Sequence, residues 1–196
     1  MEPFTVLASK ATPLDRVNVD TDQIVPKQFL KLVSRTGFGK YLFYDWRFDR
    51  DGKPKSDFVL NNPKYSGRQI MLARDNFGSG SSREHAAWAI VDYGFRALIA
   101  PTFADIFYNN CFKNGILPVR LKPEEVDYLF KNEGLEIVID LERQIVVAGG
   151  RKMHFQIDGF RKRLLLEGLD SIGLTLQLED HIAKYEKQKK MFAPSS

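Results

Sequence analysis

Short apolar segments alternate with amphipathic ones from residue 69 to residue 121. Unbroken apolar runs of four to eight residues are typical of buried strands, and apolar residues at a period near 3.6 are typical of helices. The alternation predicts strands over residues 69–73, 96–100 and 116–121 and helices over 84–93 and 102–114. Because a helix between successive strands allows those strands to run parallel, we expect an α/β fold.

The segments that follow introduce antiparallel pairing. Residues 135–141 and 144–148 alternate apolar and polar side chains on either side of Glu142 and Arg143, which is typical of a hairpin. The other predictions are a helix from Pro123 to just before Gly134, a strand over 153–157 and helices over 160–167 and 171–185. The expected sheet is therefore mixed in strand direction.

Two earlier segments fit neither pattern. Residues 18–26 carry two acids and a threonine and are predicted to form a loop. Residues 34–66 are rich in aromatic, charged and turn-forming residues, and we expect a partly ordered excursion with one short helix. The aromatic side chains over 41–46 either contact a partner or belong to the core.

A glycine- and serine-rich segment follows the predicted strand over 69–73 and leads into the predicted helix over 84–93. It covers residues 78–86, reads Gly-Ser-Gly-Ser-Ser-Arg-Glu-His-Ala and is called the elbow below. Its glycines allow a tight turn and a close approach to a ligand, while its hydroxyls and Arg83 supply donors for a carboxylate or phosphate. The spacing of Ser81 and Glu84 also matches a capping box, which requires no ligand. An anion site and a structural cap therefore both explain the elbow.

Length and composition favour one globular unit. The chain has 196 residues, 43% of them hydrophobic, which suffices for a substantial core. We expect a single domain over residues 1–185 and a loose, charged tail over 186–196. Because no apolar run reaches membrane-spanning length and the first residues lack the layout of a secretory signal, we expect a cytoplasmic protein without a membrane partner.

The ligand-forming residues argue against a metal held by this chain. Cys111 is the single cysteine, so neither an intrachain disulfide nor an iron–sulfur cluster bound by several of its thiolates is expected. The histidines at 85, 154 and 181 have no partner at metal-ligand spacing. The net charge of +4 suits a small acidic substrate or an acidic partner, and no recognised nucleic-acid module is present. We therefore expect neither a bound metal nor a nucleic-acid partner.

Motifs along nearly the whole chain carry a family resemblance. They are Asp-Thr-Asp-Gln-Ile-Val-Pro at 20–26, Leu-Phe at 42–43 with Asp-Trp-Arg at 45–47, the elbow, Phe-Ala-Asp-Ile-Phe at 103–107, Lys-Asn-Gly-Ile-Leu-Pro at 113–118 and Gly-Leu-Asp-Ser-Ile-Gly-Leu-Thr-Leu at 168–176. In this order they resemble the small subunits of bacterial 3-isopropylmalate dehydratases, equivalent to the swivelling domain of the aconitase superfamily. The resemblance implies a mixed-sheet, β/β/α barrel-like swivelling domain.

The resemblance also implies an activity. Members of this family interconvert 2-isopropylmalate and 3-isopropylmalate by removing and re-adding water, a hydro-lyase reaction of leucine biosynthesis. They use a 4Fe–4S cluster that belongs to a separate large subunit, where it acts as a Lewis acid on the substrate. By this resemblance the chain binds no cofactor itself and is active only in a heterodimer with its large subunit.

The family's catalytic serine maps onto Ser81, which the resemblance makes the base that removes a proton next to a carboxylate. Helix-start amides and Arg83 would stabilise the negative charge, and Arg83 would grip a substrate carboxylate in a bidentate manner. Ser82 would hydrogen-bond the substrate, and Gly78 and Gly80 would shape the turn. Either Ser81 or Ser82 caps the following helix, and the serine that does not is available for chemistry.

Residues outside the elbow complete the implied site. Thr21 and Asp22 match an active-site segment, in which Asp22 either orients Arg83 or caps a loop. Leu30 and Leu32 match the loop that distinguishes substrates in this family and would pack the isopropyl group. Lys31, between them, faces either a carboxylate or water.

Two further side chains have roles that stay open at this stage. Arg47 either binds a carboxylate or pairs with Asp45 or Asp49. His85 lies near the end of the elbow and is expected to support the site at most indirectly.

Two alternatives stay open at this stage. One is a sibling hydro-lyase subunit for citraconate, methylmalate-like acids or homoaconitate. The other is a stand-alone anion-binding or RNA-binding module, which the basic clusters near residues 161–163 and 187–190 would favour.

Overall fold

A seven-stranded mixed sheet organises the computed structural model, which describes residues 1–31 and 36–170 together with Gly173, Thr175, Glu179 and Tyr185. The strand order is β4-β3-β2-β1-β5-β6-β7. The strands are β1 (Val6–Leu14), β2 (Ile70–Ala73), β3 (Ala97–Ala100), β4 (Leu117–Arg120), β5 (Glu136–Asp140), β6 (Ile145–Ala148) and β7 (Arg151–His154).

The first four strands run parallel, as the alternating pattern predicts. Ala11 on β1 lies opposite Ile70 on β2, which in turn lies opposite Ala97 on β3. Every residue of β2 and β3 is buried, which explains why these segments are unbroken apolar runs without polar alternation.

The antiparallel half of the sheet is attached through β1. This strand pairs in parallel with β2 along one edge and antiparallel with β5 along the other. The predicted hairpin is present as β5 and β6. The predicted strand over 153–157 was placed too late, because Gly149 and Gly150 adopt positive φ angles and turn the chain directly into β7.

Six α-helices are described, and most match their predicted positions. They are α1 (Thr21–Ile24), α2 (Tyr44–Arg47), α3 (Glu84–Tyr93), α4 (Asp105–Lys113), α5 (Pro123–Lys131) and α6 (Gly159–Glu167). Helix α4 packs against both α3 and α6, whereas α5 lies on β2 and β3. The expected helix over 171–185 and the expected tail over 186–196 fall almost entirely outside the described residues. No helix within the described part of the chain is both long enough and apolar enough to cross a membrane.

Two helix starts differ from the sequence prediction. The segment 18–26 is not wholly a loop, because Asp20 caps the single turn of α1 by accepting a hydrogen bond from the backbone N–H of Gln23 at 2.8 Å. Helix α4 begins at Asp105 and not at residue 102. The hydroxyl of Thr102 caps no helix and instead accepts from the backbone N–H of Asn76 at 2.7 Å.

The excursion between β1 and β2 contributes part of the core. It contains α2, as the predicted single short helix, and three 3₁₀ turns at Gly39–Tyr41, Val59–Asn61 and Pro63–Tyr65. Buried apolar side chains of this segment are Phe38, Leu42, Phe43, Phe58 and Leu60. The aromatic side chains of Phe38, Phe43 and Phe58 therefore belong to the core.

Arg47 holds the excursion together. Its Nε donates to Asn61 Oδ1 at 3.2 Å, and its Nη1 donates to the carbonyls of Gly39 and Leu42 at 3.4 and 3.3 Å. Burial lowers the pKa of the Arg47 guanidinium. Among the described residues it forms no ion pair with Asp45 or Asp49, so its role here is to satisfy buried carbonyls.

We expect Arg47→Met to lower the free energy of unfolding by about 2–3 kcal/mol, because it leaves those carbonyls without a charged donor. Arg50→Met is the matched control, since Arg50 is exposed, and should change stability by less than about 0.5 kcal/mol. Urea denaturation of both variants measures the difference. Equal losses in the two variants would contradict the bracing role of Arg47.

Candidate active site

Three loops meet at the edge of the sheet where β1, β2 and β3 end. Parallel strands place their carboxyl ends along one edge, which is where ligands bind in open α/β sheets. Bridge pairing joins Asp20, after β1, to Ser79, after β2, and joins Phe77, after β2, to Phe103, after β3. The elbow is therefore flanked on both sides by neighbouring loops.

The serines of the elbow do not cap the helix. Helix α3 begins at Glu84, its N-cap residue is Arg83, and no side chain caps it, so the capping-box prediction for Ser81 and the alternative for Ser82 are both wrong. Arg83 adopts an extended conformation, with φ −139° and ψ 109°, which prevents the helix from starting earlier. Ser81 and Ser82 are exposed, and their hydroxyls have no hydrogen-bond partner among the described residues.

Two glycines let the elbow turn. Gly78 and Gly80 have φ angles of +80° and +84°, which L side chains rarely adopt. A Cβ on Gly78 would lie 2.1 Å from Cγ of Phe107, and one on Gly80 would lie 3.3 Å from Cβ of Asp20. The close approach of Phe107 explains why glycine is required at position 78 for steric reasons as well as conformational ones.

The first turn of α1 fixes the elbow backbone. The hydroxyl of Thr21 donates to the carbonyl of Ser81 at 2.7 Å, and the backbone N–H of Thr21 donates to the carbonyl of Ser79 at 2.9 Å. The backbone N–H of Gly78 donates to the carbonyl of Val19 at 2.7 Å. Thr21 is only 2% exposed, so water hardly competes for these bonds.

Arg83 and Asp22 form a bidentate ion pair beneath the serines. Nη1 of Arg83 donates to Asp22 Oδ1, and Nη2 donates to Oδ2 at 2.8 Å. Nη1 also approaches the carbonyl of Val25 at 3.5 Å. The Arg83 side chain is 9% exposed, and its hydrogen bonds to Asp22 lower the pKa of that carboxyl, with Lys27 contributing.

This pairing leaves one edge of the Arg83 guanidinium available. A guanidinium carries five N–H donors in a planar fork, of which Nη1 and one Nη2 hydrogen face Asp22 and Val25. Among the described residues, neither Nε nor the second Nη2 hydrogen has a partner. The Nε–Nη2 edge can therefore receive a second carboxylate while Asp22 holds the other edge.

A cavity of about 290 Å³ lies beside the elbow. Its lining residues are Thr21, Gly78, Gly80, Ser81, Ser82, Arg83, Ala104, Asp105, Ile106 and Phe107. The sequence prediction missed the last four as site residues, and Ile106 is 53% exposed there although it is a large apolar side chain. Their position directly after a parallel strand was the available signal.

The starts of α3 and α4 both contribute to this cavity. Helix α4 follows Ala104, which, like Arg83 before α3, provides no side-chain cap. Helix N-termini carry partial positive charge and unpaired N–H groups. The first turn of α4 therefore borders the cavity directly and brings the Asp105 carboxylate with its amides, whereas α3 reaches the cavity through its N-cap residue Arg83.

Other predicted residues lie away from the cavity. Leu30 is half-buried against the core, Lys31 is exposed, and Leu32 lies outside the described residues. His85 packs in a cluster with the rings of Phe38 and Trp88, whose centroids lie 5.3 and 4.6 Å from its own, and it does not line the cavity.

No group of three or more His, Cys, Asp or Glu side chains suited to a metal ion occurs within residues 1–31 and 36–170 or the four single residues described beyond them. Cys111 is fully buried in α4, and this burial raises the pKa of its thiol well above the usual range. The donors that surround the cavity are hydroxyls, backbone amides and one guanidinium, which suit a carboxylate, and the lining holds a single carboxylate, that of Asp105.

Two family models match the sequence. The first, described as the Aconitase C-terminal domain, matches residues 1–124. The second, described as the C-terminal domain of the 3-isopropylmalate dehydratase small subunit, matches residues 171–194.

Similar proteins extend over nearly the full length. The chain is 56% identical to the 3-isopropylmalate dehydratase small subunit of Brevibacillus brevis, over 96% of this chain and 100% of that protein. It is 55% identical to the protein of the same name from Leptospira interrogans, over 99% and 98% of the two chains. A crystal structure of 3-isopropylmalate dehydratase from Methanocaldococcus jannaschii superposes with a TM-score of 0.70 at 25% identity, covering 92% of this chain and 99% of that one. The expected mixed-sheet α/β fold of the aconitase type is thereby confirmed.

The pairing of Asp22 with Arg83 predicts a pH-dependent stability difference. Because the folded-state pKa of Asp22 lies below the ordinary 3.8, the pair stabilises the fold at neutral pH and this contribution is lost as pH falls through the lowered pKa. We expect Asp22→Asn to lower the melting temperature at neutral pH and the deficit to shrink below about pH 3.8.

Thermal unfolding of the wild-type chain and of this variant, followed from neutral to about pH 3, measures the effect. Asp51→Asn, at an exposed position, serves as the control and should show no such convergence. A deficit that stays constant across the range would contradict a stabilising Asp22 carboxylate.

The elbow glycine offers a second test. Gly78→Ala adds a Cβ that collides with the Phe107 ring at a positive φ, whereas Gly150→Ala adds one at a similar φ of +78° with nothing within 4 Å. We expect the control to cost about 1 kcal/mol of unfolding free energy and Gly78→Ala to cost at least about 2 kcal/mol more. Denaturant unfolding compares them, and equal costs would contradict the close packing of Gly78 on Phe107.

Proposed function

Because this chain belongs to the family of 3-isopropylmalate dehydratase small subunits, we propose that it acts as the small subunit of a two-chain hydro-lyase that interconverts 2-isopropylmalate and 3-isopropylmalate in leucine biosynthesis. The observation that carries the proposal is the elbow, in which an uncommitted Ser81 hydroxyl lies two residues from an arginine whose outer edge is available. We place the complex in the cytoplasm.

Ser81 is proposed to take the proton from the carbon next to a substrate carboxylate. A serine hydroxyl is a weak base unless nearby donors stabilise its alkoxide. Support comes from the uncapped start of α4, which borders the cavity, and from Arg83, the N-cap residue of α3, which lines it. The Thr21 bond to the Ser81 carbonyl restrains the backbone from which the hydroxyl projects.

Arg83 is proposed to bind a substrate carboxylate through its Nε–Nη2 edge. Asp22 orients the guanidinium and remains ionised, and it therefore serves as a positioning residue. Ser82, exposed beside Arg83, is proposed to hydrogen-bond the substrate. The Arg83 guanidinium is preorganised by Asp22 before substrate arrives, which limits the cost of reorganisation.

The 4Fe–4S cluster is proposed to reside on the large subunit, where it would supply Lewis-acid activation of the substrate hydroxyl. This chain would contribute binding, orientation and the proton acceptor. Its donor set around the cavity, which lacks thiolates among the described residues, fits that division of labour.

The isopropyl group requires an apolar contact. The proposed residues remain Leu30 and Leu32, and the cavity adds Ala104, Ile106 and Phe107 as a second apolar surface. The names of the similar proteins favour isopropylmalate over the sibling substrates, and they do not favour a stand-alone anion-binding or RNA-binding module.

Ser81→Ala tests the proposed chemistry. The variant chain is mixed with a cognate large subunit, and isopropylmalate turnover is followed together with the dissociation constant of the two chains. We expect kcat to fall at least about 100-fold, because a positioned base contributes roughly that factor or more, while the affinity between the chains stays unchanged. Ser66→Ala, at an exposed position away from the elbow, should retain full activity.

Retained turnover in Ser81→Ala would remove Ser81 from the role of base. Turnover absent even from the wild-type mixture, with both chains folded and associated, would contradict the proposed substrate itself.

A further inference from the structure

Lys27 lies close to the Arg83–Asp22 pair and has no role in the site described so far. It is the first residue of the 3₁₀ turn Lys27–Phe29, which directly follows α1 and Pro26. Its backbone is well held, because its carbonyl accepts from the N–H of Leu30 at 3.1 Å and Phe29 stacks on Tyr41 with ring centroids 4.1 Å apart. A fixed backbone thus carries a side chain that is 75% exposed.

The ammonium group of Lys27 approaches one particular oxygen of Asp22. Its Nζ lies 3.8 Å from Oδ2, which is the oxygen that also accepts from Nη2 of Arg83 at 2.8 Å. Because both nitrogens contact the same oxygen, the distance between Lys27 Nζ and Arg83 Nη2 is at most the sum of the 3.8 Å and 2.8 Å contacts. Because Oδ2 is the oxygen that accepts from Nη2, Lys27 approaches the pair at the oxygen next to Nη2, and Nη2 is the group that carries the uncommitted hydrogen.

Charge balance leaves Lys27 as the surplus cation of this group. The bidentate pairing with Arg83 already matches the single charge of Asp22. At 3.8 Å the Lys27 contact exceeds hydrogen-bond length, so the three N–H donors of its ammonium group are not committed to Asp22. An incoming carboxylate can accept from them without breaking the Asp22–Arg83 pair.

We propose that Lys27 is a further substrate-binding residue, which donates to the same substrate carboxylate that the Nε–Nη2 edge of Arg83 receives. Arg83 supplies the planar, bidentate contact, and Lys27 supplies a compact charge that reaches the carboxylate from the side of α1. This inference rests on the proposed function, since it takes the ligand to be a hydroxy dicarboxylate.

Lys27→Met in the reconstituted two-chain enzyme tests the proposal. Loss of one charged contact to the substrate should raise KM for 3-isopropylmalate about tenfold and leave kcat within about twofold. Lys27→Arg, which keeps the charge, should restore at least half of the lost kcat/KM. Lys152→Met, which removes an exposed lysine from β7, is the matched control and should behave as the wild type.

Each result decides between distinct explanations. An unchanged KM in Lys27→Met, or a lower kcat at unchanged KM, would overturn the binding role of Lys27 while the wild-type turnover upheld the proposed function. A weakened association of the two chains that accounts for the whole loss would show a contact with the large subunit and would equally overturn it. Absence of turnover by the wild-type complex would overturn the proposed function and this inference together.

Discussion

The ion pair between Arg83 and Asp22 is the interaction on which the geometry of the site depends. It joins residues 61 positions apart in the chain and places a nearly buried guanidinium directly under the elbow. A buried cation without its partner is strongly destabilising, so this contact links stability to the arrangement of the site. The Thr21 bond to Ser81 adds a second connection between the same two segments, and together they leave the serine backbone little freedom.

The parallel half of the sheet explains why these groups converge. Loops after β1, β2 and β3 emerge along one edge, and two helices begin there without side-chain caps. At an uncapped helix start, the N–H groups that a capping side chain would bind have no partner. These N–H groups can instead donate to an anionic ligand. The same architecture leaves Ser81 exposed, as its proposed role toward a substrate bound partly by a second protein chain requires.

Much of this arrangement follows from the sequence, and the exceptions have physical causes. The bounds of α3 agree with the predicted 84–93 because both its apolar periodicity and Gly94 are local signals. The predicted cap at Ser81 failed because the spacing of a hydroxyl and a carboxylate does not reveal backbone conformation, and Arg83 is extended in the structure. Ile106 lies in the 103–107 motif, but only the meeting of the loops after β2 and β3 brings it to the cavity. Lys27 follows Asp22 by five residues, but this spacing alone does not reveal that its side chain turns back toward that carboxylate.

The central claim is that this chain supplies the proton acceptor of a reaction whose Lewis acid belongs to another chain. Deuterium incorporation into 3-isopropylmalate in heavy water, catalysed by the reconstituted complex, measures removal and return of that proton directly. The account predicts that wild-type complex incorporates deuterium and that a complex containing Ser81→Ala does so at least about 100-fold more slowly at equal occupancy of the two chains. Equal incorporation rates in the two complexes would contradict it.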